Sequence, residues 1–133
     1  KSYGNTIGLR EDPDAVAAKL KTMQTDPARV RRTDPGDPTK CPVWDLHKLY
    51  SSDETRQWVD QGCRSAGIGC LECKKPLIER VVEEVTGMRQ RAQEYEDNPD
   101  LVRGIIAEGC EKAREVAGQT LDDVKQAIGL VYR

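Results

Sequence analysis

The chain has 133 residues, 33% of them charged, and a formal net charge of −2. That length suits one domain with a real core, and the near-neutral balance excludes a global basic field, so any RNA contact must use a local patch. No apolar run is long enough to cross a bilayer and no signal peptide is recognisable; an odd count of five cysteines fits a reducing cytoplasm, with thiols used as ligands, better than a paired secreted framework.

Residues 1–9, KSYGNTIGL, read as a loop, with Gly4 and Asn5 as turn formers. Lys1 and Ser2 offer an ammonium and a hydroxyl beside loop N–H groups, a set that suits an oxyanion, although a solvated terminal loop accounts for the same residues. Lys1 is not an initiator methionine, which points to a piece of something longer. A first helix is expected over 12–23, with Asp12 as N-cap, Pro13 at the first helical position and Asp14 at the positive helix start. Val16, Leu20 and Met23 repeat on one face, and Thr25-Asp26-Pro27 stops the helix. Residues 28–32, ARVRR, are expected to form a short helical turn carrying Arg29, Arg31 and Arg32. Asp26 and Asp34 flank that basic spot, so a solvated, partly self-neutralised surface is its default. Residues 34–40 form a loop by their two prolines, Gly36 and the aspartates.

Cys41-Pro42 opens a helix through about Tyr50, with Val43, Leu46, Leu49 and Tyr50 at helical spacing. His47, the single histidine, is a spare ligand at best and more simply a residue at the core's edge. Ser51 or Ser52 caps the next helix, Ser51-x-x-Glu54 having the form of a capping box. Trp58 and Val59 are expected on its buried face. It runs into Gly62-Cys63, where a glycine-rich loop begins.

Four cysteines stand at Cys41, Cys63, Cys70 and Cys73, spaced C-x21-C-x6-C-x2-C, the last three within 11 residues that include Gly67 and Gly69. A CxxC lets two thiolates reach one centre from one tight turn, and nearby glycines free backbone N–H groups to point at sulfur. The pattern has the form of a four-thiolate metal site. Four cysteines buried as small hydrophobes, or two disulfides, are the plainer readings. Iron–sulfur and zinc both accept such a set, so spacing alone does not choose between them.

A long helix is expected over 76–96, with a stripe of Leu77, Ile78, Val81, Val82, Val85, Met88, Ala92 and Tyr95 opposite a charged face. Asp97-Asn98-Pro99 breaks it. The following helix should turn Leu101, Val102, Ile105, Ile106, Ala113, Val116 and Ala117 inward, carry Cys110 as a buried free thiol, and end at Gly118. Thr120 then starts a last short helix that stops at Gly129. With no strand alternation and no internal repeat, the expected architecture is an all-α bundle with a metal-pinned corner at 41–75.

These residues resemble a known family. KSYGN is similar to the end of the KMSKS loop of class I aminoacyl-tRNA synthetases. TDPARVRRTDPGDPTKCPVWDLHKLYS, GCRSAGIGCLECKK and AREVAGQTLDDVKQAIGL resemble, in content and order, the C-terminal part of bacterial tryptophanyl-tRNA synthetases. The resemblance covers essentially the whole chain. It implies a KMSKS-like tail at 1–9 and a helical anticodon-binding domain at 10–133. One subset of that family carries four cysteines at nearly this spacing, the first gap about one residue longer, and binds a 4Fe–4S cluster. By that resemblance Cys41, Cys63, Cys70 and Cys73 would hold the cluster, with zinc or an empty site as alternatives.

The family also implies ATP-dependent joining of tryptophan to its tRNA, with ATP and magnesium used by the full-length, homodimeric enzyme. Lys1 and Ser2 would be the last two motif residues, the lysine stabilising pyrophosphate charge during adenylate formation. The chain by itself lacks the nucleotide-binding half and is expected to be inactive. Arg64, Lys74 and Lys75 beside the cysteines are expected to face tRNA, or else to be solvated charges or counter-charges to the thiolates. A different class remains open: a free-standing helical zinc or iron–sulfur module with a redox or interaction role.

Overall fold

A computed structural model describes residues 4–130, and among them every regular element is helical. The elements are α1 (Pro13–Thr22), a 3-10 turn (Pro38–Lys40), α2 (Pro42–Tyr50), α3 (Asp53–Arg64), α4 (Cys70–Asp97) and α5 (Pro99–Ala127). None of these helices is long and apolar enough to cross a membrane. The chain forms two compact units, Lys1–Arg91 and Ala92–Arg133.

The first unit is built as its sequence dictates. Asp12 caps α1, its carboxylate accepting from the amides of Asp14 and Ala15, and Pro13 fills the first helical position, where an N–H would be orphaned anyway. Val16 and Leu20 then meet Val43 of α2 and Leu77, Val81 and Val85 of α4 in one core, with Met23, Cys41, Leu46, Tyr50, Cys73, Ile78 and Val82 packed around it. Burying each such side chain contributes about 1.5–3 kcal/mol. Ser52, rather than Ser51, caps α3, accepting from the amide of Thr55.

Several expectations are corrected. No helical turn forms over 28–32, because Arg29 is drawn into the protein. Trp58 is 42% exposed while Val59 beside it is 2% exposed, so α3 buries a narrower face than expected. Helix α4 starts at Cys70, six residues before Pro76, which lies inside it. Its first turn is held without a proline start: Glu72 Oε2 accepts from the Gly69 amide at 3.1 Å, and the Cys73 amide donates to the Gly69 carbonyl. Cys63 therefore ends α3 and Cys70 and Cys73 open α4, and the loop between them is short.

In the second unit, α5 is continuous through Gly118 and Thr120. The Thr120 hydroxyl is not a cap; it donates to the Val116 carbonyl one turn back. No residue of α5 is buried: Leu101, Ile105, Ile106 and Val116, expected to face inward, are exposed. Cys110 is an exposed thiol rather than a buried one, and Tyr95 near the end of α4 is 48% exposed.

Candidate functional site

Cys41 precedes α2, Cys63 lies in the last turn of α3, and Cys70 and Cys73 lie in the first turn of α4. All four are free and half-buried. Cys63 and Cys73 both feel the charges of Cys41 and Cys70. Burial pushes the Cys73 thiol up to about 12, and the charges of Cys41, Cys63 and Cys70 push the same way. Burial also raises Cys63, with Cys41 and Cys70 adding to it and Arg29 opposing. Burial and neighbouring thiolate charge thus both oppose ionisation of Cys63 and Cys73.

Arg29 and His47 each approach one of the sulfurs. Arg29 is buried, and its Nη2 donates to the carbonyls of Arg32 (2.9 Å) and Ile68 (2.6 Å) while Nη1 stands 3.9 Å from Cys63 Sγ. Its Nε is buried with no partner among the described residues. The Gly36 amide donates to the Cys63 carbonyl at 2.9 Å, and a Cβ at Gly36 would stand 2.6 Å from Cys63 Sγ. Asp26 sets this loop, accepting from the amides of Ala28 (3.0 Å) and Asp37 (2.8 Å). At the other end, His47 is fully buried, with Nε2 3.5 Å from Cys73 Sγ and Nδ1 2.8 Å from Ser51 Oγ. Burial lowers the His47 pKa, favouring the neutral ring.

Among the described residues no three His, Cys, Asp or Glu side chains converge closely enough to hold one ion. A tetrahedral zinc with sulfurs at about 2.3 Å would need them roughly 3.8 Å apart. The sequence thus brings the four thiols into one electrostatic neighbourhood without drawing them into a compact tetrahedron.

The expected RNA-facing residues divide. Lys74 is 3% exposed, and its ammonium donates to the carbonyls of Lys21 and Met23 at the end of α1. This corrects the expectation that it faces RNA; its charge lies inward, close enough to feel Cys70, Cys41 and Cys73, while burial lowers its pKa. Arg64 is half-exposed and engaged by Asp60 at 3.1 Å and Asp37 at 3.8 Å. Lys75 is exposed and lines an open groove with Glu54, Trp58, Glu72, Pro76 and Glu79. Lys1 and Ser2 lie outside the described residues.

The sequence gives no sign of Gly36 against Cys63, places Arg29 on the surface, and offers His47 only as a spare ligand or core-edge residue, not as a neighbour of Cys73. Arg29 looked like one of three surface arginines, and nothing local distinguishes it. His47 had one legible sign: Ser51 stands four residues on, the spacing of helix-face neighbours.

Comparison with known proteins decides the relationship. No family model matches the chain. It is 60% identical over 132 residues to the tryptophan–tRNA ligase of Ralstonia nicotianae, 99% of the chain and 33% of that protein. The chain matches the C-terminal region of bacterial tryptophanyl-tRNA synthetases. The corresponding ligases of Deinococcus radiodurans and Thermotoga maritima are 47% and 41% identical over 98% and 99% of the chain, each covered to 40%. The chain thus spans a third to two fifths of the length of the tryptophan–tRNA ligases it matches.

Proposed function

We propose that this chain is the anticodon-binding part of a tryptophan–tRNA ligase and that Cys41, Cys63, Cys70 and Cys73 hold a 4Fe–4S cluster in it. The 60% identity over nearly the whole chain carries the first half of the reading. The full-length protein would use ATP, magnesium, tryptophan and tryptophan tRNA as a cytoplasmic homodimer, with Lys1 and Ser2 at the adenylate step; the chain alone would be inactive. Arg64 and Lys75 remain the candidates for RNA contact, and Lys74 supplies charge from within.

No single ion is held by these thiols as they stand, but a 4Fe–4S cluster takes one thiolate on each iron, and three features suit such a centre. Four free thiols share one half-buried region. Nitrogens of Arg29 and His47 stand near two of their sulfurs. Gly36 leaves Cys63 the room its sulfur uses. When bound, such a centre supplies positive charge and covalent cross-links. The chain's own residues do the rest: α2, α3 and the start of α4 present the thiols, and the Asp26-anchored loop closes over Cys63.

Titration of the full-length protein with tryptophan tRNA and with anticodon-altered forms tests the RNA half. Equal affinity for both would overturn it. Anaerobic preparation tests the centre: iron with sulfide, and brown colour, are expected. Stoichiometric zinc in a colourless anaerobic sample would replace the iron assignment.

A further inference from the structure

The four-cysteine reading leaves the only histidine unassigned. Both of its ring nitrogens are placed, one on Cys73 Sγ and the other on Ser51 Oγ, and the ring is fully buried. Ser51 is itself fixed as the C-cap of α2, its amide donating to the His47 carbonyl at 3.0 Å. We propose that His47 is a positioning residue for the thiolate centre, its Nε2–H donating to the Cys73 sulfur while the Ser51 hydroxyl donates to Nδ1.

A neutral imidazole has one donor and one acceptor nitrogen. In the metal-free chain either tautomer satisfies both contacts, because a thiol and a hydroxyl can each donate or accept. A ligated thiolate carries no proton. Then only the tautomer protonated on Nε2 satisfies the sulfur, and Nδ1 must accept. Ser51, whose hydroxyl rotates freely, supplies that donor. The opposite tautomer would leave a buried nitrogen lone pair against sulfur and a hydrogen bond unmade. His47 is therefore not a fifth ligand: its nitrogen is directed at a ligand's sulfur, and four cysteines already complete the set. Residues that hold ligands this way typically change metal affinity by about 10- to 100-fold when lost.

This rests on Cys73 being a ligand, and the test separates the two ideas. The intact protein is reconstituted anaerobically with iron and sulfide as wild type, His47→Gln, His47→Phe and Ser51→Ala. Iron release to a chelator and the midpoint potential are measured for each. In His47→Phe, which keeps the volume and loses the donor, release should be about 10- to 100-fold faster. Its potential should be lower, because donors to sulfur favour the more negative reduced centre. His47→Gln, which retains an N–H, should recover most of both, and Ser51→Ala, which keeps the ring, should fall between. Loaded His47→Phe with wild-type release and potential, or no recovery with glutamine, overturns the proposal and leaves the cluster reading standing. Should His47→Phe fail to fold, Ser51→Ala against wild type decides, unchanged values counting against the proposal. Wild type that takes up no iron overturns the cluster reading, and this proposal with it.

Discussion

Gly36 and Cys63 touch across 27 residues of sequence: the Gly36 amide bonds the Cys63 carbonyl, and its Cα faces the sulfur so closely that a Cβ would sit 2.6 Å from it. The same imagined Cβ would also lie 3.1 Å from Arg29 Cδ. Arg29 cannot yield freely, since it is fixed by two carbonyls. Gly36→Ala should therefore cost about 1–3 kcal/mol, as overpacking does. Urea unfolding of the metal-free protein reads this directly. An unchanged midpoint would mean the loop does not hold Cys63.

Lys74 makes a second prediction. Its ammonium satisfies two carbonyls left by the end of α1, as an unpaired helix terminus requires. Lys74→Met keeps the stem's volume and leaves those carbonyls without a donor, at an expected cost of about 1–3 kcal/mol. Affinity for tRNA, measured well below the melting point, should not change. Weaker tRNA binding at unchanged stability would return Lys74 to the RNA-facing set.

What could be read from the sequence follows from where its signals are local. Asp12-Pro13 and Cys41-Pro42 mark helix starts by backbone chemistry alone, and α1 and α2 begin where they predict. The stripe from Leu77 to Val85 is core because its period is helical and its neighbours are charged. Pro76 misled because a proline near a helix start usually is the start; here Glu72 and Gly69 hold an earlier turn. Gly118 misled for the same kind of reason, since glycine punctuates a helix only when the chain turns there. The site was half legible. Four cysteine positions announce themselves, but Arg29, Gly36 and His47 join them through the fold, across separations that no spacing rule reports.

Asp26 carries a pH prediction. The amides of Asp37 and then Ala28 hold its carboxyl below the ordinary value of 3.8. A carboxylate whose folded pKa is depressed adds stability above its unfolded pKa, and that stability is lost as pH falls through the folded pKa. Glu11 and Asp37 are lowered too, so wild type and Asp26→Asn should both weaken in acid. Their difference isolates Asp26: wild type should be the more stable from neutral pH to about 4 and lose that advantage below it. Urea midpoints from pH 6 to 2.5 give the curve. A gap between the two that does not narrow in acid would show the carboxylate's charge to be irrelevant.

Cys110 separates exposure from position in a helix. It is exposed on α5, whereas Cys73 is shielded and its thiol is pushed up to about 12. Thiolate character governs alkylation. A thiol reagent at neutral pH should modify Cys110 of the native metal-free protein first and Cys73 only on unfolding, with Cys110→Ser removing the fast phase and leaving stability within about 0.5 kcal/mol. Mass spectrometry of labelled peptides over time checks the order, and early labelling of Cys73 would contradict the burial of that sulfur.

Gly118 tests the continuity of α5. The helix passes through it, and a Cβ there would meet nothing within 4 Å. A glycine inside a helix is about 1 kcal/mol less favourable than alanine, because more backbone freedom is lost on ordering it. Gly118→Ala should therefore raise helicity and stabilise α5 by up to about 1 kcal/mol. If a helix instead stopped at Gly118 in the left-handed conformation that such ends favour, alanine would be strained and the sign would reverse. Circular dichroism with thermal melting distinguishes the two, and a lower melting point would show that α5 is two helices.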